Sequence, residues 1–201
     1  ALAKVIEENS SRFLGFSMLP TNLPTAAAAE LKRSVEELGL KGAMIHGLSA
    51  GRMVDEEFFW PIFSQAEKLN VPIYLHPALP DKAVTARYYY PYDESHPMLI
   101  RAAWGFGVEA GTQAIRMILS GIFDKHPNLR IILGHLGEAL PFLLPRIQES
   151  LSRENGQKMN FEQIFKSNFW ITTSGFFSDT ALELCLKVLN RDRILFAVDW
   201  P

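Results

Sequence analysis

Val71-Pro72-Ile73-Tyr74-Leu75-His76 is an apolar run closed by an imidazole, and two later runs repeat its form. Ile131-Ile132-Leu133-Gly134 leads to His135, and Ile194-Leu195-Phe196-Ala197-Val198 leads to Asp199. Strands buried on both faces of a parallel sheet read as continuous apolar runs of this kind. Polar groups at the carboxyl ends of such strands mark the face where α/β barrels and open α/β sheets carry their active sites. Imidazole and carboxylate together suit zinc and its first-row neighbours.

The chain around these runs alternates in the same way. Further strands are expected over 13–19, 42–46 and 169–173. Helices are expected over 1–9, 26–38, 56–69, 99–123, 140–153, 160–166 and 178–189, with Ser178 as a helix cap. A tyrosine- and proline-rich loop covers 77–97, and loops of that length in compact domains are usually functional or disordered. Six strands alternating with helices predict an α/β fold with a parallel sheet. No Gly-x-Gly-x-x-Gly turn follows any strand, and the polar groups sit on several strand ends. A (β/α)8 TIM-type barrel, incomplete at about six of its eight strands, therefore fits better than a dinucleotide-binding sheet. The chain opens inside a helical pattern and stops at Pro201, just past Asp199. It is read as one barrel domain over 1–201, truncated at both ends.

The composition narrows the function. A net charge of −2 leaves no basic excess for nucleic acid. No apolar run reaches the roughly 18 residues of a membrane span, and the start does not read as a signal peptide. Cys185 is the only cysteine, so no disulfide framework exists, which fits a reducing, cytoplasmic setting.

Each candidate residue has an ordinary reading beside the functional one. His76 and His135 taken singly are structural histidines as readily as ligands, and Asp199 alone is a cap or turn residue. Their joint placement at three strand ends favours a site. Glu138 favours the start of the next helix, orients His135, or does both, and the mixed role is the reading adopted. Ser174, in Thr172-Thr173-Ser174-Gly175, is a pocket residue or a turn residue. Arg146 is a solvated helix residue or a guanidinium for a substrate carboxylate. His46 is a pocket residue or a satisfied polar group. His96 and His126 read as surface residues, and Cys185 as core. The Tyr88-Tyr89-Tyr90-Pro91-Tyr92 segment is a pocket wall or a subunit contact.

Taken together, Tyr74-Leu75-His76-Pro77, the run from Gly134 to Phe142 with Arg146, Ile171-Thr172-Thr173-Ser174-Gly175 and Phe196-Ala197-Val198-Asp199-Trp200-Pro201 resemble amidohydrolase-superfamily decarboxylases. The γ-resorcylate and 2,3-dihydroxybenzoate decarboxylases are the nearest in pattern, and aminocarboxymuconate-semialdehyde decarboxylase is more distant. The resemblance spans almost the whole chain. It implies a distorted (β/α)8 barrel with one divalent metal, zinc or manganese, in a homodimer or homotetramer. It implies His76 and Asp199 as metal ligands, His135 and Glu138 beside the reacting group, Asp199 as proton donor and Arg146 near the substrate carboxylate; Ser174 and His46 are added toward the substrate from their strand-end positions. The implied reaction is non-oxidative decarboxylation of a hydroxylated aromatic acid. The alternatives are a lactonase-type hydrolase of the same superfamily and a catalytically silent barrel. None of the expected strands carries the acidic-x-His or His-x-His motif from which the family takes further ligands on its first strand.

Overall fold

The computed structural model describes residues 2–154 and 160–199. Ala1 of the first expected helix and Trp200-Pro201 of the last motif lie outside the described residues. In chain order the strands are β1 (Ser17–Met18), β2 (Ala43–His46), β3 (Leu48–Ser49), β4 (Arg52–Met53), β5 (Ile73–His76), β6 (Ile131–Leu133), β7 (Phe169–Thr172) and β8 (Ile194–Leu195). Six of them form one sheet in the order β1-β2-β5-β6-β7-β8, and every pairing is parallel. Each strand therefore lies beside its predecessor, as in the wall of a (β/α)8 barrel, of which these are six strands.

The main helices are α1 (Leu2–Glu8), α2 (Pro24–Glu36), α3 (Trp60–Lys68), α4 (Gly105–Leu119), α5 (Ile122–Lys125), α6 (Leu140–Glu154), α7 (Phe161–Asn168) and α8 (Asp179–Val188). Side chains alternate across each strand. Ile73 and Leu75 are fully buried, as are Ala43, Ile131, Leu133, Phe169 and Ile171, and together they anchor the core. The ring of Phe169 stacks on Phe165 of α7 with centroids 5.0 Å apart. Burying each such ring contributes roughly 1.5–3 kcal/mol. The opposite parity on β5 leaves Tyr74 and His76 only partly buried.

The observed elements depart from the sequence expectation in places. The helix expected over 99–123 begins only at Gly105 and breaks at Gly121, which adopts φ +80°. Helix α2 starts early because Pro24 suits the first helical turn. The strand expected over 193–198 keeps only Ile194–Leu195, and Phe196 is 83% exposed. The hairpin β3–β4 was not expected: Ala50 and Gly51 both take positive φ, the conformation of a tight hairpin turn. The 77–97 loop holds short helical turns, the first capped by Asp81, whose carboxylate accepts the Ala83 N–H at 2.8 Å. His126 is not a surface residue. It is 8% exposed, and its Nδ1 lies 2.9 Å from Glu67 Oε2, because the turn before β6 folds under α3. His96 is exposed and Cys185 is buried, as expected.

Candidate active site

The parallel register carries the polar strand ends onto one face. His46 and His76 are register partners at the ends of β2 and β5. Their rings meet edge to face, 4.8 Å apart, with Nδ1 atoms separated by 3.2 Å. The Pro77 carbonyl lies 2.8 Å from His76 Nδ1 and 3.2 Å from His46 Nδ1. A carbonyl only accepts, so this contact suits the tautomer with the proton on Nδ1, which leaves Nε2 as the ring's free donor atom. A carbonyl on the far nitrogen is the usual support of a metal-binding imidazole.

β6 ends in an unusual turn. His135, Leu136, Gly137, Glu138 and Ala139 all have positive φ, between 49° and 79°, forming a left-handed helical turn. Left-handed conformation costs about 1–2 kcal/mol for each non-glycine residue, and strain of this kind collects at functional sites. The turn brings His135 Nδ1 to 2.6 Å from Glu138 Oε1. Glu138 therefore does not open the following helix. It is buried and turned back on its own histidine, which supports the orienting reading. Cys185 packs beneath the turn, its thiol 3.6 Å from the Leu136 carbonyl, and burial pushes that thiol up to about 11.

Asp199 completes the row. Its Oδ2 lies 3.3 Å from His135 Nε2, so His135 stands between two carboxylates. The Glu138 hydrogen bond, then its charge and then Asp199, holds the His135 imidazole above its ordinary range against the opposing effect of burial. Asp199 sits beyond the regular strand, on backbone with φ +64°. It is held there by the segment after β7. Thr173 Oγ1 donates to the Ala197 carbonyl at 2.8 Å, and the Gly175 N–H donates to the Val198 carbonyl at 3.2 Å. Position 175 favours glycine: its φ is +62°, and a Cβ there would lie 2.9 Å from Asp199 Oδ2 and 3.1 Å from His135 Cδ2, displacing both side chains.

Behind these groups runs a hydroxyl cluster. Ser174 Oγ lies 2.6 Å from Thr172 Oγ1 and 3.3 Å from Tyr74 OH, and it accepts the His135 backbone N–H at 3.3 Å. Ser174 thus supports the His135 turn from below. Tyr74 and Thr172 share the strand-face parity of His76 and Ser174, and that parity was the sequence signal for them. Glu109 on α4 was also missed. It is 6% exposed and accepts the Ala78 N–H at 3.1 Å and the Gln113 amide at 2.8 Å. Its signal was an acid four residues before Gln113 on the otherwise apolar face of α4. Arg146 is exposed on α6 and has no hydrogen bond or ion pair with these residues. Among the described residues, no three His, Cys, Asp or Glu side chains converge closely enough to hold an ion. His76 and Asp199 offer donors of the right chemistry but form only part of a coordination shell.

A parallel six-stranded wall with imidazoles and a carboxylate at its carboxyl edge is the architecture of metal-dependent barrel enzymes. The amidohydrolase family model matches residues 1–201, and the chain belongs to that family. It is 39% identical to the γ-resorcylate decarboxylase of Rhodococcus jostii strain RHA1 over 100% of this chain and 64% of that relative. A crystal structure of a putative amidohydrolase from Staphylococcus aureus matches with TM-score 0.92 at 40% identity, covering 100% of this chain and 66% of that one. A dihydroxybenzoic acid decarboxylase from Polaromonas sp. JS666, solved with manganese and the inhibitor 2-nitroresorcinol, matches with TM-score 0.89 at 37% identity, covering 100% and 62%. The chain thus spans a little under two thirds of these proteins. No described helix is long and apolar enough to cross a membrane.

Proposed function

We propose that the protein is a metal-dependent, non-oxidative decarboxylase of hydroxylated aromatic acids. The observation that carries this reading is the Glu138–His135–Asp199 row, with contacts of 2.6 and 3.3 Å, at the carboxyl edge of the sheet. Its similarity to decarboxylases that act on γ-resorcylate, and to one solved with manganese and a nitroresorcinol, supports the substrate class.

His76, through Nε2, and Asp199 would hold the divalent ion, manganese or zinc, which when bound supplies chelation and Lewis acidity to the substrate's phenolate and carboxylate. The chain's own residues carry the proton. Asp199, protonated at this stage, delivers a proton to the ring carbon that bears the carboxylate. The C–CO2 bond then breaks, its electron pair returns to the ring, and carbon dioxide leaves without a free aryl anion. The His135 imidazolium, kept protonated by Glu138, returns a proton to Asp199 from Nε2. Ser174 fixes the His135 backbone during this exchange. His46 packs against His76 and borders the substrate space, and Arg146 is the proposed partner of a substrate carboxylate. A homo-oligomer and a cytoplasmic setting complete the proposal.

The test is a panel of hydroxybenzoates offered to the protein with manganese or zinc, with carbon dioxide followed directly. Release of carbon dioxide in step with loss of the acid is expected. Water-dependent opening of a lactone with no carbon dioxide would establish the hydrolase instead, and no turnover of either kind would establish a silent barrel.

A further inference from the structure

Glu109 takes no part in the chemistry just described, yet it is 6% exposed and meets the chain just past each of the two histidines. Burial, the largest influence, pushes its carboxyl above the ordinary range, so a charge here carries a real cost that something must offset. Its contacts say what it holds. Oε2 accepts the N–H of Ala78, two residues past His76. Oε1 accepts the Gln113 side-chain amide at 2.8 Å, and Gln113 Oε1 in turn accepts the Val54 N–H at 3.0 Å, just past β4. The carboxylate also fills the space beside Gly47, where a Cβ would lie 2.2 Å from Oε1. Gly47 directly follows His46, and its N–H donates to the His76 carbonyl at 3.1 Å. One side chain from α4 therefore grips the chain immediately after both strand-end histidines.

We propose that Glu109 is a positioning residue that clamps the segments after β2 and β5 to α4 and so fixes how His46 and His76 face the site. This rests on the proposed decarboxylase reading for its functional meaning, whereas the geometry it describes does not. A merely structural carboxylate would affect only stability. A positioning one sets the environment of two particular imidazoles.

The experiment is nitrogen-15 NMR of the histidine side chains in the full chain, with decarboxylation measured alongside. Glu109→Gln turns an amide donor toward one of two donors it must accept. It is expected to shift the His46 and His76 ring resonances and leave those of the distant His126 in place. Gly47→Ala, which crowds the carboxylate out of its seat, is expected to give the same shifts by an independent route. The exchange Glu109→Gln with Gln113→Glu keeps the Ala78 and Val54 bonds and the bond between the two side chains. It is expected to return both rings to their original resonances. Turnover is expected to fall about 10–100-fold in Glu109→Gln, as for other outer supports of a ligand, and to recover in the exchanged pair. Unchanged His46 and His76 resonances in Glu109→Gln, or shifted ones that the exchange does not restore, would overturn the proposal. If no hydroxybenzoate is turned over by the unaltered protein, the decarboxylase reading fails, and the resonances still decide the role of Glu109.

Discussion

β6 has a histidine–glutamate pair at each end, and the two pairs are built differently. Before the strand, His126 Nδ1 meets Glu67 at 2.9 Å, and the other Glu67 oxygen accepts the Asn128 N–H at 2.8 Å. Both side chains are largely buried, at 10% and 19% exposure, and the pair ties helix α3 to the turn entering β6. After the strand, His135 meets Glu138 at 2.6 Å on left-handed backbone, and its second nitrogen faces Asp199. The first pair closes a polar account inside the fold. The second is bought with backbone strain and leaves an acid, half exposed at 51%, at its open end. The same two residue types hold the chain at one end of a strand and, in the proposed mechanism, aim a proton at the other. Strain and a third titratable partner distinguish the two cases.

The sharpest way to break this contrast is Asp199→Asn. With its side chain half in solvent, the change is expected to leave the melting temperature nearly unaltered while lowering turnover about 10²–10⁴-fold. Glu138→Gln should cost about 10–100-fold in turnover, since His135 keeps a partner but loses the charge that holds its proton. At the other end, Glu67→Gln is expected to leave turnover unchanged and cost about 1–3 kcal/mol in denaturant unfolding, because a buried donor loses its acceptor. Equal effects of the two glutamate changes on turnover would erase the distinction.

Acidity sharpens it further. The folded-state pKa of His135 is raised, so its imidazolium stabilises the fold in full below the ordinary histidine value of 6.5. That contribution is lost as pH rises through the raised value. Melting temperature measured against pH should fall across that window, and Glu138→Gln should flatten the fall. The smallest effect concerns the strain itself. Ala139 is exposed with φ +60°, and Ala139→Gly should raise stability by about 1 kcal/mol with turnover kept.

The sheet was legible in the sequence because buried parallel strands are apolar throughout, and 73–76 and 131–133 need no tertiary information to be recognised. The candidate site residues were picked out in the same way, since His76 and His135 each follow such a run, whereas the run before Asp199 keeps only Ile194–Leu195 as strand and leaves Phe196 exposed. The structure brings His135, Glu138 and Asp199 together, and it sets His46 beside His76. Arg146 stays apart from them on its exposed helix face. What could not be read was tertiary in origin. His126 precedes a proline in a polar turn, and only the fold of α3 over that turn buries it. The left-handed turn at 135–139 contains a single glycine, and its four non-glycine residues take a conformation that local propensity does not foretell. Glu109 lies 31 residues from Ala78, whose amide it binds, and no local pattern announces that contact.

The most direct test is decarboxylation of a hydroxybenzoate in heavy water with manganese, comparing the protein with its Asp199→Asn variant. One carbon dioxide per acid consumed is predicted, with deuterium only at the ring carbon that lost the carboxylate, and the variant is predicted to do both about 10²–10⁴-fold more slowly. Turnover retained by the variant, or an acid formed by water uptake without carbon dioxide, would contradict the account.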